Sequence, residues 1–372
     1  MTIANEMHLR WMDCDRIIAK AERSMAAPLL SITDYAAEMS EGGQCDYYSN
    51  GDYWWPNPDT PDGLPYIRKD GQSYPGAFTA HREALRGMRT SAANLAAGYA
   101  VTGRGAYAER AAALLRRFFL DEEKRMNPHL TYAQAIPGVC TGRGIGLIDT
   151  LHLIEVPAVA RVIQRSGAWP AEEHERLQGW FSSYLEWMLS HPYGIEERDT
   201  DNNHAVCWLV QAAAFARFTG NGSVLAMCRD RYRNALLPHQ MSADGSFPRE
   251  LARSKPYGYS IFVLDNMVTL CQLLSGKGDD DLWHFSLPDG RSISLALDFL
   301  YPYLAERSSW PYSHDIEHFD DWPVGMSFML YAGIALQDER YLALWRSLPA
   351  DSDNAEVRRN TAMRQPLLWL MQ

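Results

Sequence analysis

Side chains that can transfer protons or bind an anion concentrate in three segments of this 372-residue chain. The first segment, ERDTDNNHAVCWLV, spans residues 197–210. Thr200 or Asp201 can cap a helix whose first turn then holds Asn203 and His204. The N–H groups and positive dipole end of such a turn favour an anion and disfavour an imidazolium, which predicts a neutral His204 able to accept a proton. The alternative is that the pair only caps the helix and fills its core.

The second segment, DGSFPRELARSKPYGYSIFVLDNM, places three cations and two phenols at the entry to an apolar helix, within residues 244–267. These residues are Arg249, Arg253, Lys255, Tyr257 and Tyr259. A tyrosine beside Arg or Lys can have its phenol pKa lowered, which makes it a usable base. The segment therefore predicts an acid–base tyrosine beside an arginine, unless it is only a solvated basic turn.

The third segment, MNPHLTYAQAIPGVCTGRGIGLIDT, covers residues 126–150 and contributes Tyr132, Gln134 and Arg143. Its GRGIG run is not a dinucleotide-binding fingerprint, because no strand precedes it and the glycine spacing differs. Arg143 is a candidate for binding a carboxylate, and it serves equally well as the partner in a structural ion pair.

Residues 42–77 lack a helical period and are rich in Gly, Pro, Asp and aromatic residues. An irregular run of this length is usually functional or disordered, and its aromatic rings oppose disorder. Such rings offer flat apolar area for sugar faces, so we predict a lid loop in which Tyr48, Trp54 and Trp55 contact a carbohydrate. Packing of the loop over one end of the fold is the alternative.

Outside that loop, apolar residues recur with the 3.6-residue period of α-helices almost throughout. The pattern predicts helices near residues 78–101, 108–119, 144–165, 177–188 (with a start after Pro170), 202–219, 222–238, 258–275, 291–306, 324–336 and 338–348. Apolar and polar residues show no sustained two-residue alternation, so the pattern does not indicate a sheet interleaved with the helices. Many helices with short breaks and no strict repeat predict an all-α, single-domain (α/α) barrel over residues 1–372, with about six to seven helix pairs.

Composition excludes several classes of function. The formal net charge of −11 argues against binding to nucleic acid or to an anionic membrane, both of which need basic surface. The chain contains no apolar run of 18 residues, so the sequence predicts no membrane span. The six cysteines lie far apart without a CxxC motif, which predicts free thiols rather than a zinc site or a disulfide scaffold.

The first residues, MTIANEMHLRWMDCDR, contain no apolar signal-peptide core, so we expect no signal peptide in the chain as given. A cytoplasmic protein is the expectation, or an exported one if a leader was trimmed. The net charge of the whole chain is acidic, but the candidate segments carry a group of basic residues. Their cations are Arg68, Lys69, Arg143, Arg249, Arg253 and Lys255. We therefore predict a basic, aromatic cleft on an acidic shell.

The three segments together resemble the alginate-lyase-like superfamily of polysaccharide lyases, in particular the branch acting on alginate and glucuronan (cellouronate). The resemblance rests on the Asn203–His204 pair, on Arg253 with Tyr259 six residues later, and on the string NPHLTYAQAIPG. It implies an incomplete (α/α) barrel with a substrate cleft across one end. It also implies that Asn203, His204, Arg253 and Tyr259 form the catalytic group, with no cofactor and no metal.

That resemblance implies β-elimination on a β-1,4-linked polyuronate, a substrate that is an acidic polysaccharide. Asn203, His204 and Arg253 would neutralise the C6 carboxylate, and Tyr259, with or without His204, would act as base and acid. In guluronate, where H5 and O4 lie on opposite ring faces, His204 would be the base. The candidate substrate contacts are Tyr48, Trp54, Trp55, Tyr132, Gln134, Arg143, Arg249, Tyr257 and His314.

Two other classes of function stay open from the residues alone. A glycoside hydrolase needs two carboxylates across a cleft, and (α/α) barrels also carry such enzymes. The candidate carboxylates are Asp149, Asp315, Glu317, Asp320 and Asp321. A non-catalytic protein that binds acidic polysaccharide would keep the aromatic loop but would not need the Asn–His and Arg–Tyr pairs.

Overall fold

The computed structural model describes residues 3–276 and 278–372, and the chain divides into two compact units. The first unit runs up to Ile195 and includes Met363–Gln372, whereas the second unit comprises Glu196–Ala362. The single domain expected for residues 1–372 stays a prediction.

The first unit is built mainly of helices. They are α1 (Glu6–Leu9), α2 (Cys14–Met25), α3 (Ala80–Thr102), α4 (Gly105–Leu115), α5 (Val156–Ile163), α6 (Ala171–Ser190), α7 (Pro192–Arg198), which ends in the second unit, and α17 (Pro366–Leu370), together with 3₁₀-helices Ile32–Asp34, Gly144–Glu155 and Gln164–Ser166 and a π-helical turn, Arg116–Leu120. The long helix α3 packs against α2, α4 and α5, and its buried face is rich in alanine and leucine. Small side chains let these helices approach closely.

The second unit is also helical. Its helices are α8 (Asn203–Thr219), α9 (Gly222–Arg231), α10 (Leu237–Gln240), α11 (Pro248–Leu251), α12 (Pro256–Leu274), α13 (Ile293–Ala305), α14 (Ser327–Ala335), α15 (Glu339–Ser347) and α16 (Ala355–Arg359), with a π-helical turn at Tyr232–Leu236 and 3₁₀-helices Gly278–Asp280, Arg307–Ser309 and Phe319–Asp321. Helices α8 and α12 pack against each other, and nearly every side of each is buried. The all-α prediction is therefore confirmed.

The structure corrects two local predictions. Asn202, and not Thr200 or Asp201, caps α8, because its side chain accepts the backbone N–H of His204. The helix predicted at 144–165 is divided into the 3₁₀-helix Gly144–Glu155 and α5. Pro157 lies in the first turn of α5, where the missing N–H of proline has no helical partner to lose.

Among the described residues, four short strands lie in the first unit. Strand β1 (Tyr48–Asn50) pairs in parallel with β4 (Tyr132–Ala135), and β2 (Trp54–Trp55) pairs antiparallel with β3 (Ile67–Arg68). The segment 42–77 thus contains three short strands rather than a wholly irregular loop.

All six cysteines are free thiols, as predicted; Cys207, Cys228 and Cys271 are buried and the other three are half-buried. None of the helices in the described part of the chain has the length and apolar character that a membrane span requires.

Asp265 is an ionisable group in the core of the second unit. It lies within α12 and has no exposed surface. Burial raises the pKa of the Asp265 carboxyl to about 7, and the backbone N–H of Phe328 at the start of α14 offsets only part of this rise. An unfolded aspartate titrates near a pKa of about 3.9, so the folded state binds this proton more tightly.

In the native protein, the buried Asp265 carboxyl lowers the free energy of unfolding more as the pH rises. We predict that Asp265→Asn removes this pH-dependent destabilisation. In the native protein, this group's contribution is fully present below about pH 4 and is lost as the pH rises through the folded pKa of about 7. The variant should therefore be more stable than the native protein at pH 8, by up to a few kcal/mol on the order-of-magnitude scale of one such shift. Urea unfolding from pH 5 to pH 8 measures it.

Asp353→Asn, at an exposed aspartate of the same unit, is the matched control and should leave the pH dependence unchanged. An Asp265→Asn variant whose free energy of unfolding keeps the native slope with pH would contradict the assignment.

Candidate active site

The first turn of α8 is bound to a buried glutamate. The backbone N–H of Asn203 donates to Glu250 Oε1 over 2.9 Å, and Nδ2 of Asn203 donates to Glu250 Oε2 over 2.8 Å. Both residues are buried, and Glu250 lies in the short helix α11. Burial raises the pKa of the Glu250 carboxyl, while the bonds from Asn203 and the charges of Arg253 and His204 oppose the rise. One hydrogen of the Asn203 amide is engaged in this way.

His204 lies beside a second buried carboxylate. Its Nδ1 is 2.7 Å from Oε1 of Glu197, whose side chain is 0% exposed, whereas 17% of the His204 side chain is exposed. Burial alone lowers the pKa of His204, but Glu197, with help from Glu250, more than offsets it, and the pKa is raised. The structure thus opposes the predicted neutral imidazole, because the helix dipole considered alone left out a carboxylate from the preceding helix.

Arg253 and Tyr259 are in direct contact, as their spacing predicted. Arg253 Nη2 donates to the phenol oxygen of Tyr259 over 3.2 Å, and the guanidinium carbon lies 4.5 Å from the ring centroid. Tyr259 occupies the first turn of α12, with its backbone N–H bonded to the carbonyl of Lys255. Both side chains are half-buried, so they combine a defined position with an exposed edge.

The neighbouring phenol, Tyr257, occupies a different environment. It is fully buried, and its hydroxyl donates to the backbone carbonyl of Tyr303 over 2.8 Å. Burial raises the pKa of the Tyr257 phenol, which disfavours its use as a base. Tyr257 therefore exposes no surface in this structure, since two residues along a helix turn the side chain about 200° away from Tyr259.

Asp315 holds the start of α12. Its two carboxylate oxygens accept the backbone N–H groups of Tyr257 and Gly258 over 2.8 and 2.9 Å. A Cβ on Gly258 would lie 2.9 Å from Asp315 Oδ2, so only glycine allows this approach. Asp315 is thus committed to capping the helix that carries Tyr259.

The other carboxylates considered for hydrolysis also have partners. Glu317 binds Lys255 Nζ over 2.9 Å, Asp320 binds Arg307 over 3.0 Å, and Asp321 faces His318 Nδ1 over 3.2 Å. In the first unit, Asp149 accepts from Ser49 over 2.6 Å and pairs with Arg82 over 3.3 Å. These contacts describe structural ion pairs rather than two carboxylates aimed at a glycosidic bond.

The candidate contacts in the first unit fall into buried and half-exposed groups. Tyr48 and Gln134 are buried, and their roles as substrate contacts stay predictions. Gln134 orients Arg143, whose Nε donates to its backbone carbonyl over 2.9 Å and whose Nη2 donates to its Oε1 over 3.1 Å. The guanidinium carbon of Arg143 lies 5.8 Å from the ring of Trp54.

Trp54, Trp55 and Tyr132 are half-exposed, so their rings remain candidates for stacking on sugar. The indole N–H of Trp55 donates to the carbonyl of Gln72 over 2.9 Å, and Lys69 Nζ lies 4.5 Å from its ring centroid. The tryptophan is thus held by its own segment, with a cation over the ring.

In the second unit, the other two predicted contacts lie on the surface. Arg249 forms an exposed ion pair with Asp201, on the segment that leads into α8. His314 stacks on Phe319, with ring centroids 4.0 Å apart and an angle of 11° between the planes. Their roles as substrate contacts stay predictions.

Sequence reasoning missed the two glutamates that hold the catalytic candidates. Glu197 stands seven residues before His204, and Glu250 stands three residues before Arg253. Both glutamates lie inside candidate segments, Glu197 in residues 197–210 and Glu250 in residues 244–267. However, a contact from the end of α7 to the start of α8, or from α11 to α8, depends on how the links fold, and sequence spacing does not encode that.

The arrangement supports acid–base chemistry on an anion. Within the second unit, the charge of the Arg253 guanidinium acts on the His204 imidazole, and the same guanidinium contacts the Tyr259 phenol. The amide of Asn203 is the fourth group. Cationic and amide donors stabilise a carboxylate and its enolate-like form, and the phenol can exchange protons. Across the described residues, no group of three or more His, Cys, Asp or Glu side chains is arranged to hold a metal ion.

The sequence and the fold of this chain match known alginate lyases. The model of the alginate lyase family matches residues 31–310. An alginate lyase structure from Bacteroides ovatus is 33% identical, with a TM-score of 0.84, and the match covers 96% of this chain and 92% of that one. No curated protein sequence matches.

More distant structures share the fold alone. Alginate lyase A1-III from Sphingomonas species A1 is 14% identical with a TM-score of 0.56, and the match covers 90% of each chain. A variant of alginate lyase A1-III complexed with a tetrasaccharide has the same identity and TM-score, over 96% of this chain and 94% of that one. The family match over most of the chain, together with the 33% identity to the Bacteroides enzyme, shows that this protein belongs to the alginate lyase family and is a polysaccharide lyase.

Proposed function

We propose that this lyase cleaves β-1,4-linked polyuronates by β-elimination and leaves C4–C5 unsaturated uronate at the new non-reducing end. The observation that carries the proposal is the contact between Arg253 and Tyr259 beside the buried-carboxylate pairs of Asn203 and His204. The tetrasaccharide complex of alginate lyase A1-III and the alginate lyase from Bacteroides ovatus support a polyuronate substrate.

In this mechanism, the C6 carboxylate is neutralised first. The second amide hydrogen of Asn203, the His204 ring and the Arg253 guanidinium are the donors. Neutralisation makes H5 acidic, because the charge that develops at C5 is delocalised into the carboxyl group and stabilised by these donors. Donors already held by Glu250 and Glu197 need little rearrangement as that charge develops.

Tyr259 then completes the elimination. Its phenolate oxygen takes H5, the C5–H electron pair becomes the C4=C5 double bond, and the C4–O4 bond breaks. The newly formed phenol returns its proton to the departing O4, which regenerates the phenolate. Arg253 donates to the same oxygen and so stabilises the negative charge that this step requires on it.

The substrate class follows from this geometry. In glucuronate and mannuronate, H5 and O4 lie on the same ring face, so one tyrosine can serve both steps in turn. In guluronate they lie on opposite faces, and a second group must act as base. We therefore propose glucuronan (cellouronate) or mannuronate-type alginate as the preferred substrate, and polyguluronate as a poor one.

A substrate panel tests this proposal. Glucuronan, polymannuronate and polyguluronate are incubated with the enzyme, and unsaturated uronate is followed by near-ultraviolet absorbance alongside the number of reducing ends. Absorbance and ends should rise together on one or both of the first two polymers. New ends without absorbance would indicate hydrolysis, and polyguluronate as the fastest substrate would contradict the single-tyrosine geometry.

We predict that Tyr259→Phe lowers kcat on the best substrate by at least about 100-fold, the usual range for losing a general acid–base group. Binding of the polymer, measured by calorimetry, should stay within a few-fold, because the ring is retained. Tyr312→Phe, which removes an exposed phenol of the same unit, is the matched control and should keep native turnover. Substantial residual turnover in Tyr259→Phe would move the proton transfers to another group.

A further inference from the structure

Glu197 is a buried acid that takes no part in the proton transfers of the reaction scheme. It sits near the end of α7, and its backbone carbonyl accepts the N–H and the hydroxyl of Thr200 in the link to α8. Arg231 of α9 fixes the same link, because its Nη2 donates to the carbonyl of Arg198 over 2.9 Å and to Asp199 over 3.0 Å. The backbone on which the Glu197 carboxylate stands is therefore held from two directions.

The carboxylate meets one ring nitrogen of His204. A carboxylate can only accept, so at 2.7 Å the Nδ1 of His204 carries the hydrogen and donates it to Oε1 of Glu197. The cap that Asn202 provides to the backbone N–H of His204 fixes the other end of the pair. Nε2 is left as the ring nitrogen that can meet a substrate, on a side chain that is 17% exposed.

Charged groups from three elements decide the protonation of this ring. Glu197 from α7 and Glu250 from α11 favour the imidazolium, whereas Arg253, which follows α11, and burial of the ring oppose it. The dipole of α8 opposes it as well. The net effect is a raised pKa for His204, so the nearby carboxylate is the dominant favourable influence.

We infer that Glu197 is a positioning residue that holds His204 as a cationic Nε2–H donor toward the uronate carboxylate, so that His204 is a neutraliser and Tyr259 is the base. This inference rests on the proposed function, since it assigns the charge state of one member of that site. A ring held as a cation cannot accept H5, and this is the physical reason for the expected weakness on polyguluronate.

The test is Glu197→Gln, which keeps the shape and an acceptor oxygen but removes the charge. Glu196→Gln, at the exposed neighbour in the same helix, is the matched control. For the native enzyme, kcat/KM should fall at high pH as His204 loses its proton. In Glu197→Gln this alkaline limb should move down by about one pH unit or more, the usual effect of losing a close opposite charge.

Activity of Glu197→Gln should therefore be at least about 10-fold low at pH 8 and should recover toward the native value as the pH falls. A merely structural defect would lower activity at every pH. An unchanged profile, or a shift of the acidic limb instead, would overturn the inference, because the acidic limb would make His204 a base. Glu196→Gln should follow the native profile.

A second measurement keeps the two proposals separable. The pKa of the His204 ring is read by NMR titration, with its signal identified by its loss in His204→Ala, and it should fall in Glu197→Gln. This readout needs no substrate, so it stands even if no uronan is cleaved, an outcome that would remove only the proposed function. If Glu197→Gln fails to fold, Glu197→Asp replaces it, and the longer charge separation should give a smaller shift in the same direction; no shift would overturn the inference.

Discussion

The bidentate contact between Glu250 and Asn203 is the interaction on which the rest of the site depends. It ties α11 to the first turn of α8 through the backbone N–H and the side-chain amide of one residue. A buried carboxylate is costly to desolvate, and removing its hydrogen-bond donors would leave the charge uncompensated. The Glu250 carboxylate is therefore stabilised by hydrogen bonds from Asn203 and by the charges of Arg253 and His204. These three residues must keep their positions for the carboxylate to stay compensated.

A similar constraint acts at the start of α12. Asp315 caps the first turn, the absent side chain of Gly258 permits its approach, and Tyr259 is one residue further along. Helix–helix packing of α8 against α12 then brings the two capped ends into one unit. The acidic residues that suggested hydrolysis thus stabilise the scaffold, and the proposed elimination uses an imidazole, an amide, a guanidinium and a phenol.

Much of the secondary structure was predictable because helix periodicity is a local property. The pattern 258–275 became α12 at Pro256–Leu274, and 202–219 became α8 at Asn203–Thr219. The candidate site was also largely predictable, since resemblance pointed to the Asn–His and Arg–Tyr pairs. Burial was less predictable: Tyr48, Gln134 and Tyr257 carry suitable chemistry, yet the packing of neighbouring elements places them in the interior.

The sequence by itself determined the helical class, the acidic net charge and the residue types available for elimination. The tertiary structure alone decided which of two phenols is accessible and which carboxylates act on the pKa of His204. The reason is physical: helix propensity depends on neighbours three and four residues away, whereas burial and pKa depend on groups such as Glu197 and Glu250 that only folding brings into contact.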